Sequence, residues 1–229
     1  MSEQTPLSVH EPDGEPVGGI VVVQEAFGVN DHIEDVATRF AAEGWLAVAP
    51  HLFHRTGDAK LGYEDREAIM PHMMGLTREG ILADLDVAFD LIAEEGIEPS
   101  QRGIVGFCMG GTVALIAAVE RELGAAVTFY GGGVTQGRFG FPPLVEAAPK
   151  LQAPWLGLFG DLDKGIPVEE VEQLRAAAAT SGQTTEVVRY ADADHGFHCD
   201  VRSSYNEAAA KDAWKRTLDW FGTYLSTPG

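Results

Sequence analysis

Cys108, Asp163 and His195 occur in that order along the chain, and their side chains could together do covalent chemistry. A thiol attacks as its thiolate, so it needs a base, and the base needs a third group to orient it. An imidazole and a carboxylate fill those two places. The chemistry such a set supports is attack on a carbonyl carbon, with an acyl group carried on sulfur and then released to water.

The surroundings of Cys108 favour that reading. Gly103 to Phe107 is a short apolar run with the length of a buried strand, and Thr112 to Glu122 carries apolar residues in helical register. Between them lies Gly106-Phe107-Cys108-Met109-Gly110-Gly111. Strand, G-x-C-x-G and helix make the layout of a nucleophile elbow with sulfur in place of a serine hydroxyl. Glycines two before and two after the nucleophile let the backbones approach where a Cβ would clash. The bend also brings the thiol to a helix N-terminus, which favours a thiolate. The competing readings are a small buried core cysteine and a phosphate-binding turn. The glycine patterns G-x-G-x-x-G and G-x-x-x-x-G-K-[ST] are absent.

Asp163 sits in Gly160-Asp161-Leu162-Asp163-Lys164-Gly165, and His195 in Asp192-Ala193-Asp194-His195-Gly196-Phe197. Asp161 competes with Asp163 for the orienting place, and Asp192 and Asp194 are also near. The His51/His54 and His195/His198 pairs have a spacing compatible with a metal. Neither has a cysteine or carboxylate cluster at ligand spacing beside it, so no metal is expected. Glu25 ends the Val-rich run Gly19–Gln24. A carboxylate there costs free energy unless paired, which makes it either a helix N-terminal anion or a proton acceptor that sets the state of Cys108. The N–H groups of Ala26 and Met109 are candidates for an oxyanion hole. Phe27, Tyr130, His198 and Arg202 are candidates for substrate contact.

Something must bring these positions together. Apolar runs at Gly19–Gln24, Trp45–Ala49, Gly103–Phe107, Ala125–Tyr130, Trp155–Phe159 and Glu186–Tyr190 read as strands, with Leu7–His10 as an edge. Helices are predicted from Asn30 or Asp31 to Glu43, around Glu64–Met74, over Thr77–Glu95, Pro167–Ala179 and Asn206–Tyr224. On the last, Trp214, Leu218 and Phe221 are expected to face inward. Alternation of this kind gives a mostly parallel sheet with helices on both faces, and ligands bind outside the carboxyl ends of its strands. Glu25, Cys108, Asp163 and His195 all follow strands and should meet at that edge.

The 229 residues suit one α/β domain over 1–229, with 45% hydrophobic and 22% charged residues. The net charge of −19 argues against nucleic acid and anionic membranes as partners. The start, MSEQTPLSVHEP, lacks the basic and apolar segments of a secretory leader. Cys108 and Cys199 alone do not make a disulfide framework. The expectation is a cytoplasmic, reduced setting.

Gln24-Glu25-Ala26-Phe27-Gly28-Val29-Asn30, the Cys108 elbow, the Asp163–Pro167 segment and His195-Gly196-Phe197 together resemble the dienelactone hydrolases (carboxymethylenebutenolidases). The resemblance runs over nearly the whole chain. It implies the α/β-hydrolase fold, a monomer, no cofactor, and a small lactone or ester as substrate. It implies Cys108 as nucleophile, His195 as base, Asp163 as orienter and Glu25 as the thiol-linked glutamate. The family grips its substrate carboxylate with two arginines. Arg66 matches the first, while Cys199 stands where the second should be, with Arg202 nearby. That departure leaves a different ester open, a thioester included, and a redox-sensing protein using Cys108 is the non-enzymatic alternative. Met70, Met73 and Met74 fall where the family lines its pocket with aromatics, or else form helix core.

Overall fold

The Val-rich and Ala-rich runs have no polar face to give to solvent, so they stack beside one another with helices over both sides. A computed structural model describes residues 4–225. Its seven strands are β1 (Leu7–His10), β2 (Gly19–Val23), β3 (Leu46–Pro50), β4 (Arg102–Phe107), β5 (Ala125–Phe129), β6 (Trp155–Gly160) and β7 (Thr185–Tyr190). They form one sheet in the order β1-β3-β2-β4-β5-β6-β7. Only β1 runs antiparallel to its neighbour. This is the mixed, mostly parallel sheet expected from the alternation.

The helices are α1 (Asp31–Ala42), α2 (Arg66–Met74), α3 (Arg78–Glu94), α4 (Met109–Glu120), α5 (Leu144–Ala147), α6 (Val168–Ala178) and α7 (Glu207–Tyr224). Their starts follow local chemistry: Asn30, Thr77 and Asn206 each accept a bond from a first-turn amide of the helix that follows. α1 and α7 cover one face, joined where Phe40 meets Trp214 and Phe221. α3 and α4 cover the other, tied by the Arg121–Asp86 and Arg78–Glu120 ion pairs. No described helix is long and apolar enough to cross a membrane.

Two helices differ from their predicted faces. α4 is buried almost all round, from Met109 to Ala118, because it is wedged between the sheet and the 144–150 segment. The amphipathic pattern read from Val113 to Val119 is therefore only its sheet side. On α7 the buried stripe is Ala213, Thr217, Trp220 and Phe221, with Trp214 and Leu218 half-buried at its flanks.

The register places the chemistry. Val23 lies opposite Gly106, and Phe107 opposite Phe129. Glu25, Cys108 and Tyr130 consequently leave three adjacent strands at one level. Gly160 lies opposite Tyr190, so the loops carrying Asp163 and His195 also start side by side. The long segment after β3 returns over this edge. Buried Asp84 of α3 holds it through two bonds from Arg55, at 2.7 and 2.8 Å, and one to His54 at 3.1 Å. It then crosses Gly28 so closely that a Cβ there would lie 2.1 Å from the Ala59 carbonyl oxygen.

The bend into α4 is the tightest point. A Cβ on Gly106 would sit 1.8 Å from the Gly110 carbonyl oxygen, a backbone atom that cannot rotate away. Gly106→Ala should destabilise the protein by about 3 kcal/mol or more, as overpacking against backbone does. Urea denaturation measures this; a variant with an unchanged midpoint would show that the bend is not sterically fixed.

Candidate active site

Cys108 caps α4 with φ 56° and ψ −115°, a conformation that non-glycine residues avoid. The short path from strand to helix forces it. Its own N–H is held by the Phe129 carbonyl at 3.1 Å. It is half-buried, and its sulfur is close enough to His195 to act on the charge of that ring.

The other ring nitrogen of His195 faces a carboxylate. Nδ1 lies 2.6 Å from Asp163 Oδ2, and Asp163 Oδ1 accepts the Gly165 N–H at 2.8 Å, so the acid is fixed from both sides. Asp161 is committed elsewhere, taking two bonds from Arg189 at 2.7 and 2.8 Å. Asp194 accepts the backbone N–H of His195. Burial works against a charge on His195, but the sulfur of Cys108 and the Asp163 carboxylate outweigh it and push the ring up to about 10. The arrangement favours a protonated imidazole.

Neither the Ala26 nor the Met109 N–H has a partner among the described residues. Met109 opens α4, where free amides are expected. Gln24 braces the Ala26 turn: its amide donates to the Glu25 carbonyl and its oxygen accepts the Leu52 N–H.

Glu25 is fully buried. Its Oε1 accepts from Arg202 Nη1 at 3.3 Å, and its Oε2 has no partner. Burial raises its pKa, opposed by the charges of Arg202 and His195. The carboxylate is thus turned towards Arg202. Tyr130 (φ 39°) places its ring 5.0 Å from that of His195, and its buried hydroxyl faces Glu25 without a well-formed bond. The Arg202 guanidinium lies over the rings of Phe27 and Tyr63, at 5.6 and 5.5 Å. Gly196 (φ +78°) makes room for it, since a Cβ there would come within 2.2 Å of Nη1. A cleft of about 420 Å³, with Tyr63, Asp194, His195 and Arg202 in its wall, opens on this side.

Not every candidate joins this group. The His198 ring is buried against Phe107, Phe129, Trp214 and His32, and burial keeps it neutral. It lines a neighbouring cavity with His32 and Trp214 and not the cleft of His195 and Arg202. Arg66 opens α2, and its side chain is outside the described part of the molecule. Met70 and Met74 are exposed, and only Met73 packs on the core. His32 was not singled out by sequence. It is the second residue of α1, looks like one polar residue among several, and reaches the Glu25 region only through the packing of α1 on the sheet.

The charge on His195 is open to measurement. By NMR its ring should remain protonated through about pH 9, and in Cys108→Ser its midpoint should fall towards the ordinary 6.5. The fold favours the charged ring, so the stability linked to it is complete below about pH 6.5 and fades as pH rises towards 10. A wild-type midpoint near 6.5 would remove the ion pair.

Known proteins share both the sequence and the fold. The sequence matches the dienelactone hydrolase family over residues 7–225. A Yersinia pestis protein provisionally named a carboxymethylenebutenolidase is 38% identical over 225 residues, spanning 96% of this chain and 84% of its own. The crystal structure of a protein from Klebsiella pneumoniae, provisionally named a dienelactone hydrolase, superimposes with a TM-score of 0.89 at 39% identity. It covers 97% of this chain and 94% of that one. An α/β hydrolase from a deep-sea metagenome library shares the fold, with a TM-score of 0.70 at 11% identity over 97% and 98% of the two chains. With the sheet order, the elbow and the full-length match in agreement, the chain belongs to the dienelactone hydrolase family and is an α/β-fold hydrolase.

Proposed function

We propose that the protein hydrolyses a small lactone or carboxylic ester through a thioester on Cys108. One observation carries the reading. The imidazole of His195 is held by Asp163 at Nδ1, 2.6 Å away, and the charge on its ring responds to the sulfur of Cys108 at the strained bend into α4. The thiolate attacks the carbonyl carbon. The oxyanion forms against the N–H groups of Ala26 and Met109, each worth about 3 kcal/mol of transition-state stabilisation. As the tetrahedral adduct collapses, the imidazolium gives its proton to the departing oxygen, and the ring or ester opens. His195, now neutral, takes a proton from water. The resulting hydroxide attacks the thioester, thiolate leaves, and the acid is released.

Glu25 and Arg202 bear on the substrate. A buried carboxylate beside the nucleophile repels anions unless a cation covers it. Arg202 does so at 3.3 Å, and its position over Phe27 and Tyr63 beside the cleft suits an ester that carries a carboxylate of its own. A substrate carboxylate that drew Arg202 away would free Glu25 as a proton acceptor. The cytoplasm suits this chemistry, because a reducing compartment keeps the thiolate usable.

Cys108→Ala should lower ester turnover by at least about 10³-fold while leaving the circular dichroism spectrum unchanged. Asp163→Asn should cost about 10⁴-fold, because the ring loses the acid that fixes its tautomer. Mass spectrometry of wild-type peptides after a quench should find the acyl group on the peptide holding Cys108. Full turnover in Cys108→Ala would end the proposal.

A further inference from the structure

Three potential ligand atoms converge beside the candidate active site from distant parts of the chain. Glu25 comes from the turn after β2, His32 from the first turn of α1 and Cys199 from the loop before α7. Their ligand atoms all lie within 4.8 Å of one another. Two of them, Glu25 Oε2 and His32 Nε2, are buried and have no hydrogen-bond partner. Glu25 is 0% exposed and His32 8%. Two orphaned polar atoms in one buried spot are costly unless something occupies the space between them.

The donor set selects the occupant. One sulfur, one imidazole nitrogen and one carboxylate oxygen suit a borderline-soft divalent ion, whereas calcium and magnesium want oxygen alone. Support for the ligands is already in place. The Cys199 thiol donates to the Tyr63 hydroxyl at 3.2 Å, and Asn30 Nδ2 donates to the same oxygen at 3.1 Å. If the thiol ionises, that hydroxyl can turn and donate to the sulfur, as outer partners of metal ligands do. Arg202 holds the other oxygen of Glu25 and so orients the free one. A cavity of about 520 Å³ has His32 and Tyr63 in its wall and Asp31, Asp35 and Asp200 around it. That acidic mouth attracts a cation from solvent.

We propose that the chain binds one Zn²⁺ through Glu25 Oε2, His32 Nε2 and the Cys199 thiolate, with water in the fourth position. Binding expels the Cys199 proton to solvent and draws the three atoms together by roughly 1 Å to meet tetrahedral bond lengths. Thiolate and carboxylate neutralise the ion, so Arg202 faces no net charge. If the hydrolase reading above holds, the ion also ties up Glu25 next to Cys108 and slows turnover.

The test uses the full metal-free chain, titrated with Zn²⁺ against a chromophoric chelator and with Co²⁺ as a spectroscopic substitute. One equivalent should bind, with a thiolate-to-cobalt charge-transfer band. Cys199→Ser should abolish the band, Cys108→Ser should keep it, and His32→Ala should weaken Zn²⁺ binding by about 100-fold or more. Ester turnover in His32→Ala should match the metal-free wild type and escape Zn²⁺ inhibition. No stoichiometric binding, a band that follows Cys108, or binding indifferent to both His32→Ala and Cys199→Ser would overturn the site. Binding that left wild-type turnover unaffected would overturn the link to catalysis. The binding arm reads no turnover, so it stands or falls apart from the hydrolase reading.

Discussion

The contact between Gly106 and Gly110 governs the rest of the structure. Strand and helix pass within a distance that admits no side chain, and the residue between them has no choice but the strained left-handed conformation seen at Cys108. That strain lifts the sulfur out of the sheet and points it across the carboxyl edge. Gly110 and Gly111 are pressed in turn against the carbonyls of Val23 and Phe129, so the bend also keys α4 onto the strands either side of β4. A fold that could relax this turn would let the thiol sink into the core like any other buried cysteine.

Charge is arranged around that sulfur in two sets. His195 stands between Cys108 and Asp163, and Glu25 is matched by Arg202. Each set offsets the desolvation of its own members, which lets five ionisable groups share a site without the like charges dominating. The cost is visible at the margin. Glu25 Oε2 and the Tyr130 hydroxyl remain buried without well-formed partners, as does His32 Nε2 nearby. Functional sites commonly retain such unsatisfied groups, because they are what a ligand or a moving proton completes.

Cys199 lies in the loop before α7, and Arg202, three residues on, reaches across the turn opened by Gly196 to Glu25. Phe27 and Tyr63 give the guanidinium flat surfaces to lie against. The positive charge is thereby kept near the cleft.

Whatever depends on neighbours along the chain was legible in the residues alone. The strand runs, the caps at Asn30 and Thr77 and the glycine-flanked bend at Cys108 are local matters of sterics and hydrogen bonding, and the positions of the reactive residues after strands follow from them. Tertiary structure alone decided the rest. Position favours Asp163 over Asp161 only weakly, and Arg189 of β7 separates them by claiming Asp161. His198 is one residue from Cys199, yet the packing of Phe107 and Phe129 buries its ring away from the cleft. His32 carries no local signal, and it meets Glu25 and Cys199 only because α1 and the loop before α7 close over the same sheet edge. Pairings of that kind are set by long-range packing, in which no residue's immediate neighbours record which distant group will fill the space beside it.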